Sequence, residues 1–129
     1  MAKDLRMLVE QLKAVAHPLR LRVLALIGGG EFCVCQIAEV IQAPQSTISE
    51  TLRDLRRSGF TAERKEGRWV LVSLRREAMP PLLRALLEEA EALPEVARDR
   101  ARVAEVRNLP LPIVHDRRRQ EALAGAPHE

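Results

Sequence analysis

Residues 34–59 read VCQIAEVIQAPQSTISETLRDLRRSG, and their punctuation decides the fold. A short apolar stretch, residues 34–41, has helical spacing and stops before Ala43-Pro44, because the residue before a proline is pushed out of the helical region. A second, polar stretch begins at Pro44 or Gln45 and runs to Arg57. Ser46 or Thr47 is available to cap it, and Gly59 is placed to end it in a left-handed conformation. Two helices separated by so tight a break make one brace the other, and the exposed second helix is left to meet a partner.

The flanks extend this pattern. Leu5, Leu8, Val9, Leu12 and Val15 recur at helical spacing over residues 4–15. Pro18 sits where a first helical residue tolerates proline, and a second helix runs from it to Gly28-Gly29-Gly30, a strong stop. Beyond Gly59, residues 61–65 and 68–73 are short extended runs around Glu66-Gly67, which predicts a β-hairpin. Leu82, Leu83, Leu86, Leu87, Ala90 and Leu93 then define a helix over residues 80–93. After Pro94 a charged helix is expected to about residue 106. The last twenty residues carry three prolines, an Arg117-Arg118-Arg119 run and few apolar side chains, and read as a tail with little fixed structure.

This order is that of a winged helix-turn-helix, mainly α with a small β-hairpin wing. Residues 1–93 are expected to form the winged helix-turn-helix domain that binds DNA, and residues 94–129 a charged extension, partly helical and then flexible. Composition agrees: at 129 residues with 2% aromatic side chains and many Leu, Ala, Arg and Glu, the chain suits helices packed by aliphatics. Nothing resembles a signal peptide, and the longest aliphatic run, residues 23–27, is far too short to span a bilayer. A cytoplasmic protein with no membrane partner is expected, with both cysteines kept as thiols.

Charge is unevenly distributed. Residues 44–76 hold eight Lys/Arg against four Asp/Glu, about +4, whereas residues 77–106 hold four against seven, about −3. The positive charge lies on the second helix of the pair and on the hairpin, where phosphate contacts would be needed. Gln45, Ser46, Thr47 and Ser49 are short polar groups suited to phosphates and base edges, and Arg53 follows on the same helix. Arg64, Lys65 and Arg68 at the wing could reach neighbouring phosphates of double-stranded DNA.

The two cysteines of the chain, Cys33 and Cys35, stand in EFCVCQIA, residues 31–38. Thiolates are soft ligands and select thiophilic ions over magnesium or calcium. Trivalent arsenic or antimony takes two or three sulfurs in a pyramid. Zinc in a closed structural site wants four ligands. His17, His115 and His128 lie far from the pair in sequence and show no metal-ligand spacing. The start of a helix favours anions and lowers thiol pKa values. Residues two apart in a regular helix point about 200° away from each other. Both sulfurs can therefore grip one ion only if the helix start is extended or unwinds, and distortion there would disturb the helix it braces.

These residues resemble the ArsR family of metal- and metalloid-responsive repressors. The resemblance covers residues 12–74 and is carried by LKAVAHPLRLRVLALI, GEFCVCQIA, STISETLRDLRRSGF and RKEGRWVLVSL. It implies a homodimer packed through the first and last helices, with Leu82, Leu86, Leu87 and Leu93 in the dimer core. It also implies a repressor that leaves its twofold-symmetric operator when an inducer binds. No cofactor is required; the inducer expected is As(III) or Sb(III), held by Cys33 and Cys35. A third cysteine that arsenic-responsive members often carry just after the pair is replaced by Ala38, and Thr51 stands where many relatives have histidine. Glu50 is an acid on the helix meant for DNA. A thiol-redox repressor is the alternative function. A thiol enzyme such as an arsenate reductase is disfavoured, because no Gly-rich anion loop flanks Cys33 and no histidine is placed nearby as a base.

Overall fold

A computed structural model describes residues 4–124 of the chain. Seven helices and three short strands follow one another in those residues: α1 (Leu5–Val15), α2 (Pro18–Ile27), β1 (Phe32–Cys33), α3 (Val34–Ile41), α4 (Gln45–Ser58), β2 (Thr61–Glu66), β3 (Trp69–Leu74), α5 (Pro81–Glu91), α6 (Pro94–Arg107) and α7 (Leu111–Ala124). Local chemistry sets most boundaries. The His17 ring accepts from the Leu19 N–H at 3.1 Å and caps α2 ahead of Pro18. Gly59, at φ 85°, closes α4 in a conformation costly for any side chain.

α4 starts without the expected cap. Pro44 is its N-cap residue and offers no side-chain acceptor, while Ser46 and Thr47 fall inside the first turn. The hydroxyls of these two residues therefore cannot close the helix end. The three-stranded sheet has the order β1-β3-β2, with both pairs antiparallel. β2 and β3 form the wing, Glu66 facing Trp69 across a two-residue turn at Gly67-Arg68. β1 was not foreseen. Phe32 pairs with Val72 and Cys33 with Leu71, so the wing root is tied to the residue that opens α3.

The core is continuous from α2 to α7. Val23, Leu24, Ile27, Phe32, Ile37, Val40, Ile48, Leu55, Phe60, Leu83 and Leu87 are buried together, and Val96, Val106 and Val114 from the C-terminal third join them. Residues 111–124 are thus a helix rather than the expected unstructured tail, because Leu111 and Val114 have apolar surface on α3 to cover. Residues 125–129, the rest of that tail, lie outside the described residues. Leu87 belongs to this same core and is not free for a dimer contact; Leu82 and Leu93 are exposed.

Polar contacts hold α3 from three sides. A helix leaves its last carbonyls without intrahelical partners and its C-terminus partly negative. Arg22 of α2 donates to Ile41 O (3.4 Å), Arg102 of α6 to Glu39 O (3.3 Å), and Arg118 of α7 to Ala38 O and Ala43 O (3.2 Å each). Arg22 also grips buried Asp99 with both arms, at 2.8 and 3.0 Å. The far end of α2, by contrast, approaches α6 through Gly30, where a Cβ would fall 2.8 Å from the Arg107 guanidinium.

Candidate functional site

Cys33 is the N-cap of α3 and lies outside the helix. Its backbone is extended (φ −80°, ψ 162°), held so by its pairing with Leu71. That frees its side chain from helical geometry, and its sulfur meets that of Cys35 in the first turn, 2.6 Å away. Both thiols are buried and free. Convergence thus takes the extended route and not the unwinding one: the two sulfurs share one spot while α3 remains regular. The meeting of the two sulfurs therefore needs no unwinding of α3, because Cys33 stands outside it.

The cap itself is unusual. The Cys33 sulfur accepts from the Gln36 N–H at 3.4 Å, and the Gln36 side-chain oxygen accepts from the Cys33 N–H at 3.0 Å, a reciprocal capping box with sulfur in the hydroxyl's place. The hydrogen bond from the Cys35 thiol, helped by the Gln36 N–H, pulls the Cys33 thiol down to about 7 against the cost of burial. The same bond to Cys33, with burial and the neighbouring negative charge, pushes Cys35 up. Of the two, Cys33 is therefore the thiol that ionises first.

A cavity of about 200 Å³ opens beside the pair, lined among others by Gln45, Arg68, Trp69 and His115. Sequence separation set His115 apart from the cysteines; α7 folds back and brings it in. Its ring packs edge-on against Trp69, centroids 5.7 Å apart, so Trp69 seats the wing on α7. Among the described residues, no three His, Cys, Asp or Glu side chains are already arranged to hold a metal ion.

The residues expected at DNA divide into groups. Ser46, Glu50, Arg53 and Arg57 form the exposed stripe of α4, whereas Ile48, Thr51, Leu52 and Leu55 face the core. Thr51 is buried and donates its hydroxyl to Thr47 O at 2.9 Å, which removes it from any base contact. Thr47 and Ser49 are half-buried at the edges of the stripe; Gln45 is half-buried and turned toward the thiol cavity. On the wing, Lys65 is exposed. Arg64 is held by Glu31 (2.7 and 2.9 Å) and Glu66 (3.1 Å), so part of its charge is neutralised within the chain. Arg68 lies over the Trp69 ring at 4.5 Å.

A recognition helix braced by a capped scaffold helix, with a basic wing beside it, defines a winged-helix DNA-binding regulator. Residues 17–61 match the family described as "Bacterial regulatory protein, arsR family". An uncharacterised helix-turn-helix transcriptional regulator of Methanocaldococcus jannaschii is 43% identical over 61 residues, 46% of this chain and 68% of that protein. The arsenical resistance operon repressor of Escherichia coli is 36% identical over 63 residues, 48% of this chain and 54% of that protein. The solution structure of a homodimeric winged helix-turn-helix DNA-binding domain from Mycobacterium bovis superposes with a TM-score of 0.59 at 25% identity, covering 72% of this chain and 94% of that one. The chain belongs to the ArsR family and is a transcriptional repressor, not an enzyme.

Proposed function

We propose that this repressor works as a homodimer and leaves its operator when trivalent arsenic or antimony binds Cys33 and Cys35. The observation that carries it is the meeting of two buried sulfurs at the N-cap of the scaffold helix. An ion bonded to both sulfurs draws electron density from the Cys33 sulfur and repositions it, weakening its bond from the Gln36 N–H. An N-cap contributes about 0.5–2 kcal/mol, so occupancy loosens the first turn of α3, and with it the seat of α4. The name of the E. coli relative supports arsenic as the inducer.

DNA contact falls to Ser46, Ser49 and Arg53 on the exposed side of α4, with Gln45 and Thr47 at its start, and to Arg64, Lys65 and Arg68 on the wing. The M. bovis domain is described as homodimeric. Here Leu5, Leu8, Val9 and Leu12 of α1, Leu82 of α5 and Leu93 just beyond α5 present the exposed apolar surface a second copy would cover, Leu5 being 78% and Leu82 63% accessible. No described helix is long and apolar enough to cross a membrane, which suits action on DNA in the cytoplasm.

The test is operator release followed by fluorescence anisotropy in reducing buffer. Arsenite should release the wild type and leave Cys33→Ser bound. Serine is a good N-cap, so that variant keeps its fold and its DNA affinity while losing an inducer ligand. An operator complex that survives arsenite in the wild type refutes the assignment. The contact between the sulfurs also favours a second reading, a redox switch, in which peroxide releases the DNA and arsenite does not.

A further inference from the structure

The family match ends at residue 61, and α7 lies fifty residues beyond it. That helix reaches α3 at two places with side chains three apart on one face. His115 enters the cavity beside Cys33 and Cys35. Arg118, only 5% accessible, donates to the carbonyls of Ala38 and Ala43 at 3.2 Å each, on either side of the turn between α3 and α4. It also pairs with Glu39 at 2.8 Å. The inducer cavity and the helix-turn-helix turn are therefore joined through one rigid element.

Two sulfurs leave a third position open on a pyramidal trivalent ion, and more than one on a divalent ion of the zinc or cadmium type. Ala38 supplies no third sulfur. Imidazole is an established partner of thiolates around such ions. The resting cavity still holds space, so a third donor has to move inward.

We propose that α7 closes the inducer site: His115 gives a ring nitrogen as third ligand to a thiophilic ion held by Cys33 and Cys35, and the movement draws Arg118 off the Ala38 and Ala43 carbonyls. This rests on the two cysteines being the inducer ligands. With arsenous acid, each thiol proton leaves with a hydroxide as water, so two As–S bonds replace two As–O bonds. The third hydroxide takes a proton from solvent and leaves as water when the imidazole lone pair replaces it. Arsenic stays trivalent throughout. With a divalent cation, two thiol protons are released and the neutral imidazole binds unchanged.

The full chain is titrated with arsenite and, separately, with cadmium chloride. Thiolate-to-ion absorbance reports binding and anisotropy reports operator release, for wild type, His115→Ala and the Cys33→Ser/Cys35→Ser double variant. His115→Ala should fold normally, since the side chain is 40% accessible, and circular dichroism checks this. It should weaken binding of at least one of the ions about tenfold or more and raise the concentration for release by the same factor. The ring nitrogens of His115 should shift in ¹⁵N spectra on adding that ion to the wild type, which a merely structural neighbour would not show. Arg118→Lys should keep the wild-type ion affinity but respond less in operator release. Unchanged affinity for both ions in His115→Ala overturns the inference, and wild-type release in Arg118→Lys overturns its transmission half. If the double cysteine variant binds either ion like wild type, the thiol assignment itself fails; thiol dependence without His115 dependence sinks this inference alone.

Discussion

Replacing Arg118 with methionine should cost the fold about 3 kcal/mol. Arg118 and Glu39 are 5% and 3% accessible and meet at 2.8 Å, and Glu121, one turn further along α7, also pairs with Arg118. Breaking a buried pair by removing one partner costs roughly 3–5 kcal/mol, because a buried charge is left uncompensated. Methionine keeps much of the aliphatic stem, so the packing loss is small. Arg117 remains 3.3 Å from Glu39 and offsets part of the loss, which puts the value near the lower end. At about 2.1 cal/mol/K per residue, a 129-residue chain unfolds with an entropy of ~0.27 kcal/mol/K, so Tm should fall by about 10 °C. Thermal melts followed by circular dichroism, at one protein concentration, measure this. Glu39→Met added to Arg118→Met should restore most of the loss, since an apolar pair replaces the ionic one, with a coupling of ~2 kcal/mol. A single variant melting within about 2 °C of wild type would refute the docking of α7 on α3 through this pair.

Two further outcomes follow from the site and the surface. Iodoacetamide should modify Cys33 with a rate that rises through pH 7, leaving Cys35 unreacted, because the thiolate is the nucleophile; equal reaction at both cysteines, rising only above pH 8, would contradict it. By linkage, Cys33 ionises at lower pH folded than unfolded. Its contribution should therefore raise stability between about pH 7 and 9 and vanish below 7, while the raised Cys35 reverses the slope above 9, a profile that urea melts across this range would show. Leu8→Glu places a charge within the exposed apolar face of α1 and should give monomers in analytical ultracentrifugation with secondary structure intact; an unchanged dimer would place the interface elsewhere.

How much could be read without coordinates depended on whether the signal was local. The bounds of α2 and α3 follow from Pro18, the glycines after Ile27 and the Ala43-Pro44 break, all of which act on their own backbone. The hairpin followed from Gly67 and the extended runs beside it. β1 carried no such mark: two residues have no periodicity, and only β3 makes them a strand. α7 was missed for a different reason. Its inward face is built from Leu111, Val114 and an arginine, and an arginine inside a run of three reads as solvated until Glu39 and two carbonyls are found around it.

The sequence by itself determined the helix-turn-helix, the basic wing and the presence of two soft ligands in one short segment. Those are properties of near neighbours along the chain, set by backbone preferences and spacing. Tertiary structure alone decided that the ligands converge, because the strand pairing that pulls Cys33 out of the helix comes from residues nearly forty positions away. It alone placed His115 beside them and Arg118 under the turn, since a helix from the far end must first find the apolar face of α3. Contacts between distant segments depend on which surfaces remain to be covered, and that is settled only when the whole core closes.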